Sequence, residues 1–170
     1  MTVRDAILML CLSAAPLAPA AAQCRLCATP SVERAGPGSP NAIQLEIETS
    51  LDFDRLVVLA PGQGSATLSP DGSRTVSGTI GAIGGRAMVG TAIVRGEPGR
   101  AIRIDLPRRI ELFSISGGRI VIEAVASDLP PLPRLDKTGA LAFRFGGRLE
   151  VSGDAEGDYR GDIPITVDYL

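Results

Sequence analysis

Leu141-Ala142-Phe143-Arg144-Phe145-Gly146-Gly147-Arg148-Leu149-Glu150-Val151-Ser152, followed after an acidic turn by Tyr159-Arg160-Gly161-Asp162-Ile163-Pro164-Ile165-Thr166-Val167-Asp168-Tyr169-Leu170, is the stretch that decides the fold. Apolar side chains fall on every second position in both arms. Leu141, Phe143, Phe145, Leu149 and Val151 share one parity, and Tyr159, Ile163, Ile165, Val167 and Tyr169 form a second run. A repeat of two places alternate side chains on one face of a half-buried strand. The pattern predicts a long antiparallel hairpin that turns at Gly153–Asp158, with the C-terminus as its last strand. A strand at a chain end is a natural place for one molecule to be completed by another.

Upstream of the hairpin, short apolar segments alternate with turn residues. Ile43, Leu45 and Ile47 alternate with Gln44, Glu46 and Glu48, and Leu56–Leu59 is a short buried run. Pro61-Gly62-Gln63-Gly64 and Ser69-Pro70-Asp71-Gly72-Ser73 read as turns. Further strands are expected at 74–80, 86–95, 101–106, 109–115 and 119–126, separated by breaks such as Gly96-Glu97-Pro98-Gly99 and Ser116-Gly117-Gly118. No segment sustains a helical period. Many short strands in one domain indicate an all-β antiparallel sandwich or barrel. The unequal faces of several strands favour the sandwich. Pro164 has no N–H to donate, so its strand is expected at a sheet edge, and an open apolar edge must be covered by something.

Residues 1–22 read as a leader rather than as part of the fold. Arg4 precedes an apolar run from Ala6 to Ala15, and small residues lead to Ala20-Ala21-Ala22. That is the layout of a secretory signal, and it directs the chain to the periplasm, the cell surface or the exterior. Residues 23–41 form a polar arm with Pro30, Pro37 and Pro40, and residues 42–170 make one domain. The formal net charge is −2 with no basic tract, which gives no electrostatic case for nucleic acid. No apolar run after the leader is long enough to span a membrane. Histidine is absent. The usual general base, the Ser-His-Asp arrangement and the commonest metal ligand are therefore missing.

Cys24 and Cys27 are the cysteines that remain after the leader. Three readings stay open: a small disulfide loop, a cross-link between chains, and a redox or metal role. The first suits an oxidising compartment. Zinc would need further ligands, and there is no histidine and no other cysteine after the leader; a redox pair would need a helix N-terminus. Gly78–Gly85 is glycine-rich without the Lys-Ser/Thr of a phosphate loop, so it reads as a β connection. The carboxylates of Gly153–Asp158 do not have EF-hand spacing and read as a solvated turn. Arg160-Gly161-Asp162 spells an adhesion tripeptide that arises readily by chance, and Pro130–Pro133 reads as a loop between strands. No cofactor is expected, no serine nucleophile is flagged, and the chain is expected not to be an enzyme.

Phe145-Gly146-Gly147-Arg148-Leu149-Glu150-Val151, followed by Gly157 to Tyr169, resembles the bacterial secreted family known as domain of unknown function 4402. Leu51-Asp52-Phe53-Asp54 stands where that family has Leu-Asp-Phe-Gly, with Asp54 in place of the glycine. Val57–Gly72 and Ile104-Asp105-Leu106-Pro107 follow in the expected order, and the Cys24-Arg25-Leu26-Cys27 start is also similar. The likeness covers roughly residues 42–170. The family is similar to spore-coat-U-like and fimbrial proteins, so the resemblance implies an immunoglobulin-like, pilin-like β-sandwich. Pilin subunits typically end with a penultimate tyrosine and a glycine fourteenth from the end, which here are Tyr169 and Gly157. The resemblance thus implies a surface-structure subunit assembled by strand addition. A periplasmic chaperone and other copies or subunits would be its partners, and Gly157, Ile163, Ile165, Val167 and Tyr169 would mark the edge involved. The alternative is a stand-alone periplasmic or secreted monomeric sandwich that binds a ligand.

Overall fold

The computed structural model describes residues 42–152 and 155–170. The leader at 1–22, the arm at 23–41, Cys24, Cys27 and the first two residues of the Gly153–Asp158 turn lie outside the described residues. What is described is all-β, with no helix. Twelve strands follow in order: β1 (Gln44–Thr49), β2 (Leu56–Val58), β3 (Gln63–Leu68), β4 (Arg74–Gly78), β5 (Ile80–Ala82), β6 (Gly90–Arg95), β7 (Ile102–Asp105), β8 (Arg109–Ser114), β9 (Arg119–Ser127), β10 (Ala140–Ser152), β11 (Tyr159–Arg160) and β12 (Thr166–Tyr169). Eight of them form one antiparallel sheet that curls into a half-barrel, with path β1-β6-β10-β9-β8-β11 and a β3-β4 branch. Two small ribbons, β12-β7 and β2-β5, complete the structure.

The thirteen-residue β10 is the organiser. Its first half, Ala140 to Phe145, pairs with β6, and its second half, Gly147 to Ser152, pairs with β3. Strand β9 pairs with Phe145 and Gly146 and with Arg148 to Glu150, so it takes the other edge. β6 and β3 therefore share one edge of β10, one beyond the other. Gly146 and Gly147 lie at the changeover because the chain is crowded there. A Cβ on Gly146 would stand 1.9 Å from the Leu68 carbonyl oxygen. The register shift opposite it is a bulge in β9, where Ala124 takes φ 50°. An extra residue reverses the alternation of a strand. Accordingly Ile120 and Ile122 face inward before the bulge, and Val125 is half-buried after it.

Two apolar clusters result. The first joins Ile110, Ile120, Ile122, Leu149 and Val151 of the large sheet to Phe53, Ala66, Leu68 and Ile80, with Leu56 and Val58 packed on it. The second joins Ala92, Val94, Phe143 and Phe145 to Ile102 and Leu135, with Ile165, Val167 and Tyr169 packed on it. Each ribbon thus covers one half of the curled sheet. Burying an aliphatic or phenyl side chain contributes about 1.5–3 kcal/mol. Among the described residues the ion pairs, such as Arg103–Asp105 and Arg144–Asp128, lie on the surface, where such pairs are worth little.

The terminal hairpin expected from the sequence does not form. Both edges of β10 are occupied, by β9 and by β6 with β3. The chain after Ser152 instead crosses β9 and β8 to add β11 beside β8, and then adds β12 beside β7. The expected single strand Tyr159–Tyr169 is broken in two. Pro164 falls in the gap between β11 and β12, where no ladder bond is asked of it. Likewise 74–80 divides at Gly78, which has φ +79° and would bring a Cβ to within 2.4 Å of the Gln63 carbonyl oxygen.

Candidate functional site

Between the β2-β5 ribbon and the large sheet the structure leaves a half-open groove of about 660 Å³. Its floor is aliphatic: Leu112 of β8, Ile120 and Ile122 of β9, Leu149 and Val151 of β10. One lip is Ser50–Asp54 with Leu56 and Val58, and the other is Ala155, Gly157–Gly161 and Ile163. Each floor residue is there because its strand alternates, which turns every second side chain inward. The floor is hydrocarbon, and the polar groups stand only on the lips.

Main chain without a ladder partner borders the groove. β2 pairs only with β5, and residues 161–165 belong to no strand among the described residues. The second lip is held lightly. β11 contributes just two pairs, Tyr159 with Ser114 and Arg160 with Phe113. Gly161 closes against β8, its missing Cβ leaving space beside the Glu111 carbonyl oxygen. Gly157 takes φ +108°, a conformation open to glycine, and faces Ser114 Oγ.

The first lip is held firmly by Asp54. Its φ of 59° is left-handed, a region aspartate tolerates better than most residues. Asp54 N donates to Asp52 Oδ1 at 2.7 Å, and Asp54 Oδ2 accepts from Arg86 N at 2.9 Å. The Arg86 bond, helped by Arg55 N and by the charges of Arg74 and Arg55, holds the Asp54 carboxyl below its ordinary value. Asp54 thus stands with a left-handed backbone where the sequence resemblance placed a glycine, and its carboxylate ties this lip to the loop before β6.

The expected edge residues divide between two places. Gly157 and Ile163 stand at the groove. Ile165, Val167 and Tyr169 pack into the second cluster, away from it. Val167 and Tyr169 ladder with Ile104 and Ile102, while the other edge of β12 has no strand partner among the described residues. Tyr169 is anchored further: Glu97 N donates to its hydroxyl at 2.8 Å, and the Arg100 guanidinium lies 4.9 Å from its ring centre. Leu51, Phe53, Leu112 and Ile122 were not singled out from sequence as site residues. Leu51 and Phe53 stand in the element that matches the family's Leu-Asp-Phe-Gly, which carries no site role, and Leu112 and Ile122 show only the inward parity that every core residue shares.

Arg160-Gly161-Asp162 is exposed on the second lip. Pro130–Pro133 forms the loop between β9 and β10, and the Pro133 carbonyl accepts from Ile102 N at 3.0 Å. Among the described residues there is no cluster of three or more potential metal ligands, and no helix is long and apolar enough to cross a membrane.

Neither a curated protein nor a solved structure matches the chain. One family does, over residues 43–169, which takes in both clusters, the groove and the terminal strand. On that match the chain belongs to the family described as domain of unknown function (DUF4402).

Proposed function

We propose that this chain is a non-enzymatic structural or adhesive subunit of a bacterial surface structure. It is exported by its leader, built as a pilin-like variant of the immunoglobulin sandwich, and assembled by β-strand addition with the groove as the acceptor. The observation that carries this reading is the groove of about 660 Å³ with an aliphatic floor. Folded interiors are packed as densely as organic crystals. An apolar void forfeits dispersion contacts along its whole lining. An extended segment laid over Leu112, Ile122 and Leu149 would restore those contacts with alternate side chains. Its main chain would pair with backbone that has no ladder partner, which is the physics of strand addition. A periplasmic chaperone and further copies or subunits are the partners this mode of assembly calls for.

A small apolar ligand bound by a monomeric sandwich is the competing reading, since about 660 Å³ also falls within the range of small-molecule pockets. The unladdered main chain along the lips favours a peptide, because a lipid or other apolar small molecule leaves those donors and acceptors unused. Light scattering and hydrogen exchange on the chain taken from the envelope of the producing cell test the two. Strand addition predicts a mass above that of one chain and slow exchange at β2 and at 161–165. A lone chain whose amides at those positions exchange rapidly would overturn it.

A further inference from the structure

The outward faces of β4, β3 and β10 meet in a smaller depression of about 150 Å³. Gln63, Ser65, Ser77, Arg148 and Glu150 supply its side chains, beside Gly64 and Gly78. The ladder explains the hollow. Glu150 stands opposite Ser65, and Ser65 opposite Ser77, so one row crosses three strands. The short Ser65, 7% exposed, lies at the floor among longer neighbours. We propose that this depression binds a neutral sugar residue through its hydroxyl groups. The assignment rests on the adhesive side of the function proposed above and gives it a ligand class. It does not depend on strand addition. On β10, Leu149 and Val151 face the groove, whereas Arg148 and Glu150 face the opposite way.

Three properties of the lining lead to it. Donors and acceptors stand side by side: the Arg148 guanidinium donates, the Glu150 carboxylate accepts, and Gln63 and the two serines do both. A sugar hydroxyl also does both, so each can be matched. Charge is balanced as well. Among the described residues the lining holds one cation and one anion, and they are paired, Arg148 Nε with Glu150 Oε1 at 2.6 Å. The next carboxylate, Glu123 opposite Arg148, also stands opposite Arg109. An ionic ligand would have to compete with that pair, whereas a neutral polyol adds to it. Lastly, Ser65 Oγ and Ser77 Oγ lie 3.0 Å apart. Such a pair uses one hydroxyl proton and leaves the second for an acceptor outside it. The space equals about five waters, which suits one ring rather than a drug-sized ligand. No aromatic side chain lines it, so a single site is weak, on the order of 1–10 mM. Repetition over many copies raises that by avidity.

Saturation-transfer NMR on the chain as its producing cell accumulates it tests the site. The probes are the methyl glycosides of glucose, galactose, mannose and N-acetylglucosamine, with glucuronic acid and glucosamine as charged twins. At least one neutral glycoside is expected to bind on the order of 1–10 mM. The charged twins are expected to bind about three-fold more weakly, the scale of one half-exposed ion pair. Ser65→Val keeps a strand-forming residue and fills the floor, and should weaken binding by about ten-fold or more. Gln63→Ala with Glu150→Gln alters the walls without touching the buried floor and should do the same. Thermal unfolding reports the fold of each variant, and the wall variant decides where the floor variant does not fold. Silence from every probe overturns the site and leaves strand addition standing, because what fills the groove does not reach the opposite face. A signal that survives the variants overturns it by placing the sugar elsewhere. A charged twin that binds more tightly than every neutral glycoside overturns the ligand class.

Discussion

Glycine 90 shows how finely the second cluster is fitted. It sits directly opposite Phe145 in the ladder, and a Cβ there would stand 2.2 Å from the Phe145 ring. Phe145 is 1% exposed, so its ring has no free space to yield into. Gly90→Ala is expected to destabilise by about 1–3 kcal/mol, the range for overpacking a tight core. Adding Phe145→Leu should recover part of that loss, because the two sites share one volume. Urea unfolding of both variants measures it; strictly additive losses would mean that the ring does not occupy the glycine's space. The acid limb of stability is also decided by single residues. Asp136 Oδ1 accepts from Thr138 Oγ1, Ala140 N and Thr138 N. Those bonds, the Thr138 side chain first, hold its carboxyl below the ordinary value, and Ser73 does the same for Asp71. With a folded pKa below the unfolded one, protonation favours the unfolded chain. The stabilisation is present above the unfolded value and is lost as pH falls through the folded one. The chain has no histidine to titrate near neutrality. Stability should therefore be level from about pH 5 to 8 and fall below about pH 4. Asp136→Asn should flatten part of that fall in pH-dependent thermal unfolding.

At the scale of elements, what was legible in the sequence was whatever shows in alternation. β6 to β10 lie within a residue or a few of where the apolar repeat puts them. The partners of each strand were not legible. Alternation says which face of a strand is buried but not which edge is occupied, so the two terminal runs looked like a hairpin. Strand β3 went unread for a different reason. Gly64, Ser65 and Ala66 are buried there, yet their small side chains carry no apolar signal. They are small because β3 lies against other chain. A Cβ on Gly64 would reach Ile80 at 2.7 Å, and Ser65 Oγ bonds Ser77 Oγ on β4. Nor could the groove be read, since its floor residues carry the same parity as any core residue and the space above them is a property of the assembled sheets. The end of the chain gives an element-scale prediction. Tyr169 fixes β12 through the Glu97 N bond and the Arg100 contact, and Gly96 leaves room for its hydroxyl. Tyr169→Phe keeps the ring and removes the acceptor. It should cost about 1 kcal/mol, a fall of about 2–4 °C in Tm for a domain of this size. No change would show that water replaces the hydroxyl.

For the whole molecule, the groove sets stability against assembly. The second cluster is closed over by β7 and β12, whereas the first is left with a space that the described residues do not fill. Whatever occupies that space stabilises the folded state by mass action, so the unoccupied chain should be measurably less stable than the occupied one. A side chain grown from the floor tests the trade directly. Leu112 is half-buried on β8 and lines the groove. Leu112→Trp would extend an indole over Ile122 and Leu149, bury additional apolar surface and restore contacts that the void forfeits. The isolated variant is expected to gain about 1–2 kcal/mol and to lose association with other copies or with an added strand, because the same volume cannot hold both. Differential scanning calorimetry and light scattering on one preparation read the two effects together. A variant that gains stability and still assembles would place the acceptor elsewhere, with the unladdered edges of β1, β4 and β12 among the remaining candidates within the described residues. A variant that loses stability would mean that Leu112 is already packed as tightly as Phe145, and that the groove is shallower at β8 than at β9 and β10.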